Sequence, residues 1–501
     1  MSSSLDRRAF LQTTAAAGAA TAFLSQVPAV AADEARVDPQ LVRLHPDIEP
    51  LVRLIEDTPR TKLLEEIGAR IKKGLSYREV LTALFLAGVR NVQPRPNVGF
   101  KFHAVLVVNS AHQAALAGPD SERWLPLFWA LDNFKAAQAT NLKESGWRMT
   151  PVEEAKVPTT PEKARQAFTA AMDQWDVEAA DAAVAGLART HTPGSLFDLF
   201  AHYGARDFRD IGHKIIFVAN AFRVLEVIGW RHAEPILRSL AYALLKHDGK
   251  NPAHEDLDAD RPGRRNAERI AKATPAPQRP SDISSRSLLS SLRTASADAM
   301  AAEVHEWLQG GISPRTIWDG LFLGAGELLM RQPGIVSLHT LTTLNAIHYA
   351  YRTCAEAKLR HWLILQAASF LPMFRETMKA RGKMADSKID ELQPLDTPTP
   401  PSVDDIYAEL SRDKMKAATM AMGLLKADAA NAKALTDRGR FLIFLKGTDS
   451  HDYKFSSAVM EDAEFIAPAW RDRFYAASLY WLKGSKAPDS PLVQRTRAAL
   501  A

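Results

Sequence analysis

A chain of 501 residues with 46% hydrophobic content, 63 Lys+Arg and 58 Asp+Glu is neither a disordered tail nor a small disulfide-stapled module. Its length predicts more than one unit of ordinary domain size. The formal net charge is only +5 and the two signs are interspersed, which excludes a basic stripe of the kind that binds nucleic acid. The single cysteine, Cys354, excludes an intrachain disulfide, a cysteine-based zinc site, a covalent c-type haem and a Cys-x-x-Cys redox centre.

Residues 1–32 read as an address. Arg7-Arg8 is followed by Phe10-Leu11, an Ala-rich apolar stretch, and small residues Ala29 and Ala31 placed for cleavage. This segment is similar to a twin-arginine export signal. It predicts cleavage after Ala31 or Ala32, transient partnership with the twin-arginine translocase, and delivery of a folded chain to the periplasm or exterior of a bacterium. No later apolar run is long enough to cross a bilayer, so no membrane span is expected after cleavage.

Beyond the signal the chain repeats itself. TALFLAG (82–88) returns as DGLFLGA (319–325), and FHAVLVVNSAH (102–112) returns as LHTLTTLNAIH (338–348). Trp124 then answers Trp362, and Trp230-Arg231 answers Trp470-Arg471, at a slowly drifting offset. This predicts two homologous halves, residues 40–245 and 290–484. The polar, Pro- and charge-rich stretch 247–289 reads as a linker or long surface loop.

Within each half the apolar spacing is helical. In TKLLEEIGARIKKGL (61–75), Leu63, Leu64, Ile67, Ile71 and Leu75 recur at three and four residues with charges opposite. The aromatic stripe Trp124, Phe128, Trp129 and Phe134 reads as core. Breaks such as QPRPNVG (93–99), HTPGS (191–195) and RQPG (331–334) separate helices, and no strand-like alternation with hairpin turns occurs. The expected fold is all-α: about 16 to 20 helices in an internally duplicated array of two pseudo-symmetric halves.

Four of the 14 histidines occupy a repeated position. His103 and His213 lie 110 residues apart, His339 and His451 lie 112 apart, and each follows a Gly, Pro, Asp or Ser signal for a helix start. There the unpaired N–H groups and the macrodipole disfavour a protonated ring, so these imidazoles should be neutral and free to accept a proton, bind a metal or hydrogen-bond a substrate. Repetition alone would equally copy a structural histidine. The repeated pairs Asn109/His112 and Asn345/His348 share a helical face at a spacing of three. Nine residues separate His103 from His112, half a turn out of phase, so this second set reads as a separate structural network across the pseudo-twofold interface. Glu226, Glu461 and Asp462, on the helices after His213 and His451, are weaker candidates for carboxylate ligands. Gly-x-Gly-x-x-Gly, P-loop, Gly-x-Ser-x-Gly and His-Glu-x-x-His motifs are missing.

At these residues the chain resembles the questin oxidase-like family. FKFHAVLVVNSAHQAALAG (100–118), DIGHKIIFVANAFRVLEVIGWRHAEPILRSLAYAL (210–244), VSLHTLTTLNAIHYAYR (336–352) and SHDYKFSSAVMED (450–462) are similar to its histidine-bearing segments. The resemblance implies that His103, His213, His339 and His451, with Lys454, share a site. It also implies an oxidoreductase or oxygenase acting on an oxygenated, aromatic small molecule, with a metal ion or a nicotinamide electron donor. In such a site a neutral histidine would act as base and Lys454 would stabilise oxyanion charge. The competing expectation is a non-catalytic helical ligand- or protein-binding protein of the cell envelope.

Overall fold

The computed structural model describes residues 38–271, 277 and 284–501; the signal at 1–32 lies outside them. Among the described residues there are 22 α-helices and no strand. In chain order the first ten are α1 (Glu49–Asp57), α2 (Arg60–Lys72), α3 (Tyr77–Asn91), α4 (His103–Ala117), α5 (Leu125–Glu144), α6 (Pro161–Gln174), α7 (Val177–Thr190), α8 (Pro193–Ala205), α9 (His213–Ile228) and α10 (Ala233–Leu244). Then come α11 (Arg261–Ala271), α12 (Ser285–Leu292), α13 (Ala297–Gln309), α14 (Pro314–Arg331), α15 (Ile335–Thr353) and α16 (Ala357–Ala380). The chain closes with α17 (Val403–Glu409), α18 (Lys414–Ala427), α19 (Asn431–Lys446), α20 (Ser450–Phe465), α21 (Pro468–Ser478) and α22 (Pro491–Leu500).

Local chemistry sets many of the boundaries. Ser76 and Glu79 close a reciprocal capping box at the start of α3, and Thr160, Asp176, Ser296 and Ser313 each accept a backbone N–H at the starts of α6, α7, α13 and α14. Proline at the first turn of α6, α8, α14 and α22 loses no intrahelical bond. The helix count exceeds the expected 16 to 20 partly because the stretch 247–289 is not all loop. It contains α11, whose fully buried Asn266 donates to Gln366 Oε1 at 2.7 Å and Ser369 Oγ at 3.1 Å on α16.

At the centre lies a ring of four helices, α4, α9, α15 and α20, each packed against the next and α20 closing back on α4. Cross-links tie residues at matching depth. Ser457 Oγ on α20 donates to Ser110 O on α4, Asn109 Nδ2 on α4 donates to Asn220 Oδ1 on α9, and Asn345 Nδ2 on α15 donates to Asp462 Oδ1 on α20. The four central helices therefore run parallel, with all four N-termini at one end. The outer helices pack around this ring. Their packing follows one scheme on both sides: α3·α4, α4·α5, α6·α7, α7·α10 and α8·α9 have counterparts in α14·α15, α15·α16, α17·α18, α18·α21 and α19·α20. The interior is apolar, with Phe85, Phe102, Phe128, Phe134 and Phe217 fully buried. The polar residues of the central ring stand out against it.

A candidate metal centre at four helix N-termini

Each repeated histidine sits in the first turns of a central helix: His103 opens α4, His213 opens α9, His451 is second in α20 and His339 is fifth in α15. The four rings close a loop, with centroids 4.8 Å apart for His103–His213, 4.5 Å for His213–His339, 5.1 Å for His339–His451 and 4.4 Å for His451–His103. One ligand atom from each ring lies within 4.8 Å of all the others. His213 and His339 are buried, at 3% and 0% exposure.

Hydrogen bonds fix the tautomers. His103 Nδ1–H donates to Phe100 O at 2.9 Å, His339 Nδ1–H to Ile335 O at 2.6 Å, and His213 Nδ1–H to Asp210 O. His451 Nδ1–H donates to the Asp449 carboxylate, which also caps α20. A carbonyl can only accept, so each neutral ring turns an Nε2 lone pair inward. His213 Nε2 lies 2.9 Å from His103 Nε2 and 3.0 Å from His339 Nε2. Converging lone pairs at that separation repel unless a cation lies between them. The spacing is that of neighbouring ligands about a first-row ion with metal–nitrogen bonds of ~2.0–2.1 Å. Pinning the remote ring N–H to a carbonyl or carboxylate is also how metal-ligating histidines are held.

Two of the carbonyls come from left-handed backbone. Phe100 has φ +46, and Asp210, Ile211 and Gly212 follow one another at φ +52, +45 and +82. Non-glycine residues there cost ~1–3 kcal/mol each and persist only when surroundings hold them. Thr343 Oγ1 on α15 donates to Ile211 O at 3.2 Å, and Lys246 Nζ reaches Asp210 Oδ1 at 3.3 Å.

Burial holds His103, His213 and His339 well below the usual imidazole range, and the nearby Lys454 charge adds to this. Lys454 lies one turn inside α20 at 3% exposure; its Nζ has no hydrogen-bond partner, and burial pushes its ammonium down to about 7. Above the rings opens a cavity of about 1010 Å³ lined by all four histidines.

No family model, curated protein or solved structure matches the chain. The site therefore stands on its geometry.

The second histidine set takes no part in it. His112 Nδ1 lies 3.3 Å from Tyr77 OH, and His348 packs on Trp318 at 4.7 Å with Nδ1 4.0 Å from Asp462. Asn109 bonds to Asn220 on α9 and Asn345 to Asp462 on α20, not to their own histidines. The carboxylates are engaged away from the rings: Glu461 pairs with Arg223 at 2.8 Å, Asp462 takes Asn345, and Glu226 accepts from Tyr349. The sequence marks Asp449 as a helix-start signal before His451 but not as the partner of its ring, and the three carbonyl acceptors carry no residue-type signal.

Proposed function

We propose that this chain is an exported, metal-dependent oxidoreductase whose four imidazoles hold one divalent first-row transition ion at the floor of the cavity. The convergence of four Nε2 atoms, every Nδ1 already committed to an oxygen, is the observation that supports it. Imidazole donors suit zinc, copper, iron and nickel, and neutral rings need lose no proton to bind. Such an ion supplies Lewis-acid or redox chemistry. The chain supplies the fixed tautomers, a water-poor floor and a cavity for an oxygenated organic substrate, in keeping with the resemblance to questin oxidase-like proteins. Folding and metal loading before passage through the twin-arginine translocase is the matching route out of the cytoplasm.

Elemental analysis of protein purified without added metal tests the reading. About one equivalent of a first-row transition metal is expected, lost in a His213→Gln/His339→Gln double variant that retains its helical circular dichroism. A protein that arrives metal-free and takes up neither zinc, iron nor copper refutes it.

A further inference from the structure

Of the eight lysine and arginine side chains buried among the described residues, seven bond to a carboxylate or a backbone carbonyl. Arg90 holds Glu49 and Glu56, Lys214 holds Asp207, and Lys135 reaches two carbonyls. Lys454 is the exception: it is 3% exposed, and its Nζ has no hydrogen-bond partner. The acid whose charge reaches it, Asp449, is bonded to His451. A buried charge without a partner is strongly unfavourable. The position adds to this, because Lys454 lies one turn inside the positive end of α20, beside the equally oriented positive ends of α4, α9 and α15.

Lys454 faces a small pocket on the axis of the ring, below the histidines and separate from the large cavity above them. All four central helices line it, with Ser110 from α4, Asn220 from α9, Thr342 from α15 and Lys454 from α20 among the contributors. No aspartate or glutamate does. Most of its polar groups are already engaged: Ser457 Oγ donates to Ser110 O, Asn220 Nδ2 to Leu106 O, and Arg223 to Glu461. Thr342 Oγ1, on a residue 4% exposed, is not. Two free donors, one of them cationic, therefore line one enclosed space.

Size and charge select the occupant. A volume of about 10 Å³ holds one particle the size of a water molecule, which excludes phosphate, sulfate and any organic acid. A water would accept from both donors but leave the lysine charge uncompensated. Loss of the lysine proton would remove the charge but leave the remaining N–H groups without an acceptor. A monatomic anion meets both requirements, since it accepts from the ammonium and the hydroxyl and cancels the charge.

We infer that the axial pocket binds one halide ion, with chloride the natural occupant, between Lys454 Nζ and Thr342 Oγ1. Nothing in this depends on the proposed metal. The charge of Lys454 is felt by His103, His213 and His339, so a halide beside it would also make those rings better acceptors of a cation.

Bromide is the crystallographic probe, because its anomalous scattering distinguishes it from water. Crystals of the metal-free full chain grown in sodium bromide should show an anomalous peak within hydrogen-bond distance of Lys454 Nζ and Thr342 Oγ1. In solution, the unfolding temperature of the same protein should rise as sodium gluconate is replaced by sodium chloride at fixed ionic strength, where screening is constant and only a specific site responds. Lys454→Met should weaken chloride binding about tenfold or more, and the nearly isosteric Thr342→Val severalfold; the second variant carries the test should the first not fold. Pocket density without an anomalous signal, which identifies water, overturns the inference, as does a chloride response unchanged in the variants that fold. A bromide peak only in molar soaks, with no chloride response in solution, is an adventitious ion only and also overturns it. Zinc uptake with no halide bound overturns this inference alone. Halide binding with no metal uptake supports it and refutes the metal reading.

Discussion

Gly212 is where the histidine centre is most vulnerable to a single methyl group. A Cβ added there would lie 2.1 Å from Thr343 Oγ1, 2.6 Å from its Cγ2 and 2.8 Å from its Cβ, on a backbone at φ +82. Thr343 is β-branched and its hydroxyl is bonded to Ile211 O, so it cannot rotate out of the way without losing that contact. The left-handed backbone costs an alanine ~1–2 kcal/mol and the overpacking another ~1–3, giving a loss of ~2–5 kcal/mol in Gly212→Ala. The relief open to the structure is to push the 210–212 turn away from α15. That moves Asp210 O off His213 Nδ1, and loss of such an outer partner lowers metal affinity ~10–100-fold. Denaturant unfolding and zinc titration against a competing chelator measure the two effects separately. Thr343→Ala in the same chain should recover the overpacking share and leave the backbone share. A Gly212→Ala protein with parental stability and parental zinc affinity would refute the positioning argument.

Burial holds His348 down to about 3, whereas the same ring in the unfolded chain titrates near 6.5. The unfolded state therefore binds the extra proton, so this stability is fully present above pH ~6.5 and lost as pH falls from there toward 3; between pH 7.5 and 5.5 the loss is ~1.3 kcal/mol. His348→Gln should flatten the pH slope of unfolding free energy by that amount, and an unchanged slope would remove His348 as its source. Superposing residues 77–244 on 314–478 in a crystal structure should bring His103 onto His339, His213 onto His451 and Trp230 onto Trp470; halves that do not superpose would make the repeated spacing coincidental. Replacing Arg7 and Arg8 with Lys should strand the protein in the cytoplasm, and export at the parental level would rule out the twin-arginine route.

Histidine placement was legible because it rests on local rules. A Gly, Pro, Asp or Ser signal precedes each of the four histidines, and all four lie in the first turns of helices. The half-turn phase between His103 and His112 likewise kept the second set out of the centre, and His112 does turn to Tyr77. What the sequence concealed depends on backbone or on distant partners. No residue type announces that Asp210 and Ile211 adopt a left-handed conformation, since Thr343, more than 130 residues away in sequence, helps hold them. In α11 the only buried residues are Gly263 and Asn266, and its many charges leave no apolar stripe, so a packed helix reads as a linker. The pairing of Asn109 with Asn220 was equally hidden, because an amide on a helix face does not say which neighbour lies opposite.

The parallel ring also sets a timetable for biosynthesis. Its four histidines are drawn from four separate stretches of the chain, and His451 is added when nine-tenths of the 501 residues exist. At ~5–20 residues per second the first two rings wait many seconds for the last. A fragment ending before α20 presents three converging imidazoles but lacks both the fourth and Lys454. On the proposed reading, ion capture would report that the last of the four central helices has docked, while the segment similar to an export signal would be the first part made. A carrier that accepts only finished protein would release this one when its last helices close the ring.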